Sequence, residues 1–315
     1  MDRTTLRRVV AVINGKGGAG KTSITANVAG LVANSGFRVL VVDMDPQGNL
    51  AEDFGYTQGE ADDQGQSLAA ALAFGQPATP RRDVRPRLDV FVGGYHLDAA
   101  AAALAAAKDQ VGARLALARV LEPLGEDYDL VLIDCPPGIE ALQNAAAAAA
   151  RWALVPARSD ASSRKGMLDV ARRLDAVVDL NPDLDLLGVV LFGTGTGAHR
   201  IKQEARERIV EALGAEDVVL TTTIRHSEAT AHAARERGQL VHELEEEARK
   251  GPSWWQIRRG EATGAGGAPR TAGGVAEDYH ALAEEIVARI TAAEAAQAEH
   301  LEQLDQVEQA GAVGA

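Results

Sequence analysis

Aromatic side chains are scarce in this chain: Phe, Trp and Tyr make up 4% of the residues, against 46% for hydrophobic residues as a whole. A core that cannot be built around rings must be built from Ala, Val and Leu, which suits helices packed closely on a sheet. There is one cysteine, Cys135. That excludes an internal disulfide framework and any centre needing several thiolates from one chain, and it points to a reducing cytoplasm. No stretch is long and apolar enough to span a bilayer, and the roughly six apolar residues before the first glycine loop are too few for a signal-peptide core. Positive charge is also short: 32 Lys and Arg stand against 45 Asp and Glu, a formal net charge of −13. This balance argues against a general polyanion binder, because phosphate contacts need clustered cations, but it leaves room for a local basic patch. Much of the excess lies between Glu243 and Glu247 and after Gly274, where nine acidic residues face Arg289 alone.

At 315 residues the chain can bury a substantial core in one large domain or two small ones. Short β-branched runs alternate with longer helical patterns, the signature of βαβ units and a parallel sheet. Strands are expected at Val9 to Asn14, Arg38 to Asp43, Leu88 to Val92, Leu130 to Asp134, Ala153 to Pro156 and Leu186 to Phe192. Helices are expected at Lys21 to Asn34, Ala99 to Leu121, Glu140 to Ala150, Ser163 to Leu180, His199 to Leu213 and Ser227 to Arg237. The fold class is therefore α/β, a doubly wound, mainly parallel sheet flanked by helices. Residues 1–259 form its domain, and residues 57–87, rich in Gly, Gln, Asp and Pro, read as a surface insertion. Residues 260–274 are too rich in Gly and Ala to pack and read as a flexible linker. Residues 275–315 carry Leu282, Ile286, Ile290, Leu301 and Leu304 among charges, an amphipathic acidic C-terminal helix and tail. A membrane-binding helix would carry a basic polar face, so this one is expected to pack on protein.

After the first strand comes Gly15-Lys16-Gly17-Gly18-Ala19-Gly20-Lys21-Thr22, a match to G-x-x-x-x-G-K-[ST] in its required strand, loop, helix context. The glycines let backbone N–H groups turn inward around phosphate oxygens, and the following helix, through Ser23, adds its positive N-terminal end. Lys21 bridges the β- and γ-phosphates in such a loop, and the Thr22 hydroxyl ligates Mg²⁺. Lys16 is not needed to hold the chain's own phosphates. The string KGGAGKT resembles the deviant Walker A motif of the ParA/MinD family, whose early lysine reaches across a dimer to the partner's nucleotide.

Two further strings carry the same resemblance. Asp43-Met44-Asp45-Pro46-Gln47-Gly48-Asn49 is similar to the D-x-D-P-Q-G-N switch of ParA proteins, and Leu130 to Gly138, LVLIDCPPG, has the Walker B pattern of a buried strand ending in Asp134. The resemblance, which runs from about Val9 to about Leu244, implies a P-loop ATPase using ATP and Mg²⁺. It makes Lys16, Lys21 and Asp45 catalytic, Asp45 positioning the attacking water, and places Thr22, Asp43 and Asp134 around the metal. Pro46 and Gln47, then Pro136, Pro137 and Gly138, become the two switches. Cys135 reads as a small buried residue rather than a nucleophile. In the later chain, Ile224-Arg225-His226 stands where the family usually has Ile-Pro-Arg, and Gly193 replaces a more usual polar residue, so base contacts do not transfer.

The family's ATP dimers bind non-specific DNA through basic residues near the dimer edge. Arg200, Lys202 and Arg225 are the candidates here, although Glu204, Glu207 and Glu211 interrupt the first group and make a salt-bridged face the competing reading. The resemblance implies slow hydrolysis by an ATP-dependent homodimer, nucleoid-associated in the cytoplasm, that segregates a plasmid or chromosome with a ParB-like partner. The alternative is a MinD-like or cargo-positioning ATPase acting on a protein assembly or a membrane. The acidic tail disfavours the membrane version. A nitrogenase-reductase-like carrier lacks its cluster cysteines, and a non-hydrolysing scaffold would not require Asp45.

Overall fold

The computed structural model describes residues 1–57, 62–159, 163–195, 197–250, 258–259 and 268–313, without the side chains of 163–167, 169 and 304–313. Trp254 and Trp255, and residues 260–267 of the segment read as a linker, lie outside these. Eight strands form one sheet: β1 (Val9–Val12), β2 (Val39–Asp43), β3 (Arg81–Arg85), β4 (Leu88–Phe91), β5 (Leu130–Asp134), β6 (Trp152–Ala157), β7 (Asp185–Thr194) and β8 (Val219–Arg225). Their spatial order is β3-β4-β2-β5-β1-β6-β7-β8, and every neighbouring pair is parallel except β3 with β4. The chain builds outward on one side of β1, returns through β5, then crosses to β6 on the other side. Such a reversal opens a crevice at the C-terminal strand ends, where ligands collect in open α/β sheets.

Burial on both faces explains the near-continuous apolar strands. Along β1, Val9 and Ala11 face one core, with Ile13 just beyond them, while Val10 and Val12 face the other. The first core is covered by α3 (Gln66–Phe74), α4 (His96–Ala106), α5 (Gln110–Arg114), α6 (Ala116–Leu121), α7 (Glu140–Ala149), α8 (Ser163–Asp175) and α9 (His199–Leu213). The second is covered by α1 (Lys21–Asn34), the short α2 (Leu50–Asp53), and a last helix, α12 (Ala272–Val313). Between α2 and α12 in sequence, α10 (Glu228–Arg237) packs on α2, and α11 (Val241–Lys250) packs on α1 and α12.

Several expectations are corrected. Six strands become eight: β8 adds a strand whose residues Val219 to Ile224 are largely β-branched, and β3, Arg-Arg-Asp-Val-Arg, is polar because it is an edge strand. Residues 57–87 are not simply a surface insertion, since Leu68 and Leu72 of α3 are buried in the first core and β3 extends the sheet. The helix expected over 99–121 is three helices. Asp109 accepts a hydrogen bond from the Gly112 N–H at 2.9 Å and starts a new helix where the alanine run promised a continuous one. The helix after it in the second half of the chain ends at Asp175, five residues earlier than its apolar pattern implied.

The last helix begins at Ala272, three residues before the expected boundary, and Ala272 is buried. Val275, Tyr279, Leu282, Ile286 and Ile290 share the second core with α1. Polar contacts hold its flank: Asp278 to Arg225, Glu285 to the Thr221 and Thr222 N–H groups, Arg289 to the Leu187 and Asp217 carbonyls, and Glu294 to Arg8. From 295 to 303 the helix is exposed.

Candidate functional site

The phosphate loop leaves β1 at the sheet's point of reversal. Asn14 ties it down, donating from Nδ2 to the Pro156 carbonyl at 2.6 Å and accepting from the Lys16 N–H at 2.8 Å. Gly18 and Gly20 have φ of 69° and 95°, left-handed values that let the loop curl over the start of α1. A Cβ on Gly20 would lie 2.5 Å from the Phe192 ring, so only glycine fits beneath that ring. Gly15, Lys16, Gly17 and Gly18 are exposed at the mouth, Ala19 is buried, and Thr22 and Ser23 are half-buried at the helix start. The two lysines differ in environment. Lys21 is 6% exposed, donates from Nζ to the Lys16 carbonyl at 3.2 Å, and has its pKa lowered by burial. Lys16 is exposed.

Three carboxylates gather below the loop. Asp43 and Asp134 are register partners at the ends of β2 and β5. Asp43 Oδ1 accepts the Asp45 N–H at 2.9 Å, and Asp45 Oδ1 accepts the Gln47 N–H at 3.0 Å, which sets the turn through Pro46. Thr22 Oγ1 donates to Asp134 Oδ2 at 2.7 Å. The other oxygens, Asp43 Oδ2 and Asp134 Oδ1, are buried without a hydrogen-bond partner among the described residues. Burial, with Asp134 close by, drives Asp43 well above the ordinary carboxylate range, and burial pushes Asp134 up to about 7. Two orphaned anionic oxygens beside a threonine hydroxyl make a pocket that fits a hard divalent cation. Mg²⁺ suits such a pair, because it keeps waters and shares phosphate oxygens instead of needing an all-protein cage. When bound, Mg²⁺ would neutralise charge developing on the γ-phosphate, with Thr22, Asp134 and Asp43 holding its shell.

The second switch leaves β5 on the same side. Pro136 is buried and its carbonyl accepts from Gln143 Nε2 at 2.7 Å; Pro137 and Gly138 are exposed, the latter at φ 71°. Cys135 is fully buried, and burial raises its thiol pKa, which removes it as a nucleophile.

Beside the loop opens a cleft of about 930 Å³ walled by Gly18, Gly20, Phe192, Gly193, Arg225 and His226, closed on the far side by α10 and by Val275 and Tyr279 of α12. Sequence reasoning missed several of these parts. Phe192 sits near the end of β7, Gly93 packs so closely that a Cβ would lie 2.3 Å from Asp43 Cγ, and the Tyr279 hydroxyl hydrogen-bonds the Ser23 hydroxyl. No local motif marks them, because each acts through a neighbour far away in the chain.

Each of the three basic candidates is engaged by a polar neighbour. Arg200 is exposed and pairs with Glu204 at 3.2 Å, and Lys202 Nζ donates to Thr223 Oγ1 at 3.3 Å. Arg225 is engaged by Asp278, which accepts from its N–H, Nε and Nη2 at 2.8, 2.7 and 2.7 Å. The free arginine expected there is a salt-bridged one, because α12 brings an aspartate onto it.

Residues 7–186 match the family model described as AAA domain. The chain is 36% identical over 197 residues, 61% of its length and 71% of the relative's, to the chromosome-partitioning ATPase Soj of Thermus thermophilus. It is 32% identical over 210 residues to the chromosome partitioning protein ParA of Myxococcus xanthus, covering 64% of this chain and 71% of that one. The chain belongs to the ParA/MinD superfamily of ATPases. It is thus an ATP hydrolase that works with ATP and Mg²⁺. Among solved structures, cobyrinic acid a,c-diamide synthase from Mycobacterium smegmatis with bound ADP and magnesium is 29% identical, with a TM-score of 0.60 over 78% of this chain and 98% of that one. The cell division ATPase MinD of Pyrococcus furiosus shares the fold at 24% identity, with a TM-score of 0.61 over 89% of this chain and 98% of that one. Within this ParA/MinD frame the geometry divides the labour. The loop and Lys21 would hold phosphate, Asp134 and Thr22 would hold the metal shell, and Asp45, 6% exposed beside them, would orient a water.

Proposed function

We propose that this ATPase is a partition-type switch: an ATP-dependent homodimer that binds non-specific DNA and segregates a plasmid or chromosome with a ParB-like partner. One observation carries the dimer. The loop holds one lysine, Lys21, buried over the carboxylates and another, Lys16, exposed at its mouth, where a nucleotide held by a second copy could meet its charge. ATP binding and dimerisation become one linked event, and slow hydrolysis, with Asp45 as the water-positioning group, resets it. The relatives named for chromosome partitioning support the cargo. An acidic surface suits a basic partner peptide that stimulates turnover.

A second reading, a cargo-positioning ATPase acting on a protein assembly, is favoured by one specific feature: the Arg225 guanidinium is neutralised by Asp278, which weakens the DNA patch. Among the described residues no helix is long and apolar enough to cross a membrane. Binding to non-specific duplex DNA at low and moderate salt, with ADP, ATP or no nucleotide, separates the readings. ATP-dependent, salt-sensitive binding that is lost in Arg200→Ala supports partition, and no binding in any state supports the protein-cargo reading. Light scattering of Lys16→Gln with ATP tests the dimer: a variant that still dimerises makes Lys16 an ordinary loop residue.

A further inference from the structure

Three arginines line the cleft beside the phosphate loop, and two are engaged by acidic side chains. Arg225 is held by Asp278, and Arg235 lies 3.3 Å from Asp53 and 3.4 Å from Glu52. Arg158 makes no hydrogen bond or ion pair with any described residue, although it is exposed in the same cleft. Its place follows from the sheet. Ala157, the last residue of β6, is the register partner of Leu191 in β7, so Arg158 leaves the sheet beside Phe192, whose ring covers Gly20 of the loop. On the other side, Leu154 pairs with Val12 and Asn14 bonds the Pro156 carbonyl, so the chain carrying Arg158 and the chain entering the phosphate loop emerge next to each other. The guanidinium lies near Gly193, where a Cβ would be 3.5 Å from Arg158 Nη2. Among the described residues, the acidic groups lining the cleft, Glu52, Asp53, Glu228 and Glu236, come from α2 and α10.

A planar cation whose donors are unused among the described residues, lining the same cleft as Gly18 and Gly20 of the loop, matches a phosphate chain in charge and geometry. We infer that Arg158 is a further phosphate-binding residue of the nucleotide site, gripping the phosphates of the bound nucleotide from the β6 side. The inference rests on the nucleotide occupying the loop and cleft. It adds to Lys21 a cation supplied by a different strand, held by β6 and not by the loop itself.

The test is equilibrium binding of ADP, ATP and adenosine, the nucleotides with Mg²⁺, to the full chain and to Arg158→Gln and Arg158→Lys. Loss of one charge-assisted contact weakens ADP and ATP about tenfold or more in Arg158→Gln, leaves adenosine unchanged, and is partly restored in Arg158→Lys. The salt dependence of ADP binding also falls. Unchanged ADP and ATP affinities overturn the inference, as does an equal loss for adenosine, which would place the effect in the base pocket. An unchanged ADP affinity with loss of the ATP-dependent dimer also overturns it, because Arg158 would then touch the second copy and not its own nucleotide. No nucleotide binding by the unsubstituted chain would instead remove the nucleotide site on which it rests.

Discussion

Replacing Asp278 by Asn tests how α12 is held to the sheet. Its carboxylate accepts three hydrogen bonds from Arg225, one from the backbone N–H of β8 and two from the guanidinium fork. Asp278 is 14% exposed and Arg225 33%. A fully exposed pair contributes about 0.2–1 kcal/mol and a charge-assisted hydrogen bond in a drier site about 1.5–3 kcal/mol, so this half-buried fork falls between, at about 1–2 kcal/mol of coupling. At roughly 2–4 °C per kcal/mol for a domain of this size, the melting temperature drops by about 2–8 °C. The assay is a double-mutant cycle over Asp278→Asn, Arg225→Gln and both, by urea unfolding. Asp278→Asn also frees the Arg225 charge, so DNA retention at low salt rises with it and not with the double variant. A coupling below roughly 0.3 kcal/mol would refute the reasoning; α12 would then be held by Val275, Tyr279, Leu282, Ile286 and Ile290 alone.

Without Mg²⁺, Asp43 and Asp134 are forced to share a buried corner. Their folded pKa values lie above the ordinary 3.8, Asp134 at about 7, so between about pH 4 and 7 the folded chain keeps protons the unfolded chain has lost, and stability declines as pH rises across that window. Asp43→Asn flattens this slope and stabilises the metal-free protein at pH 8 by about 1–3 kcal/mol, while removing Mg²⁺-dependent hydrolysis; urea midpoints with EDTA at pH 5 and 8 check it. Gly93→Ala forces a Cβ onto the Asp43 carboxyl group, 2.3 Å from Cγ, and hydrolysis falls at least about tenfold with the fold retained by circular dichroism. His242 packs against α1 and the His280 ring, near Glu243, Glu246 and Arg85, and burial depresses its pKa from 6.5. The unfolded chain therefore takes up a proton first as pH falls below about 6.5, stability declines with it, and His242→Gln removes that decline by roughly 1 kcal/mol in melts between pH 7 and 5.

The phosphate loop, the Asp43-Met44-Asp45 turn and the Asp134 strand were legible because each is a contiguous string in which neighbours in sequence perform one task. The central strands were legible for a related reason: burial on both faces leaves an unbroken apolar run. Polar β3 and threonine-rich β8 were not, because the sheet's outer strands face water and lose that signal. The alanine run at 99–121 misled because its break depends on one cap, Asp109 on Gly112.

Chain order alone thus carried the strings of the nucleotide site, the phosphate loop and the two aspartate turns, and the acidic pattern of the last helix. Tertiary structure alone decided what surrounds that chemistry. The parallel register of β6 and β7 put Arg158 and Phe192 beside the loop, the close approach of Gly93 seated Asp43, and the docking of α12 set Asp278 on Arg225 and Tyr279 on Ser23. These contacts join residues tens to hundreds of positions apart. No local pattern encodes them, since each depends on how strands and helices pack rather than on spacing along the chain.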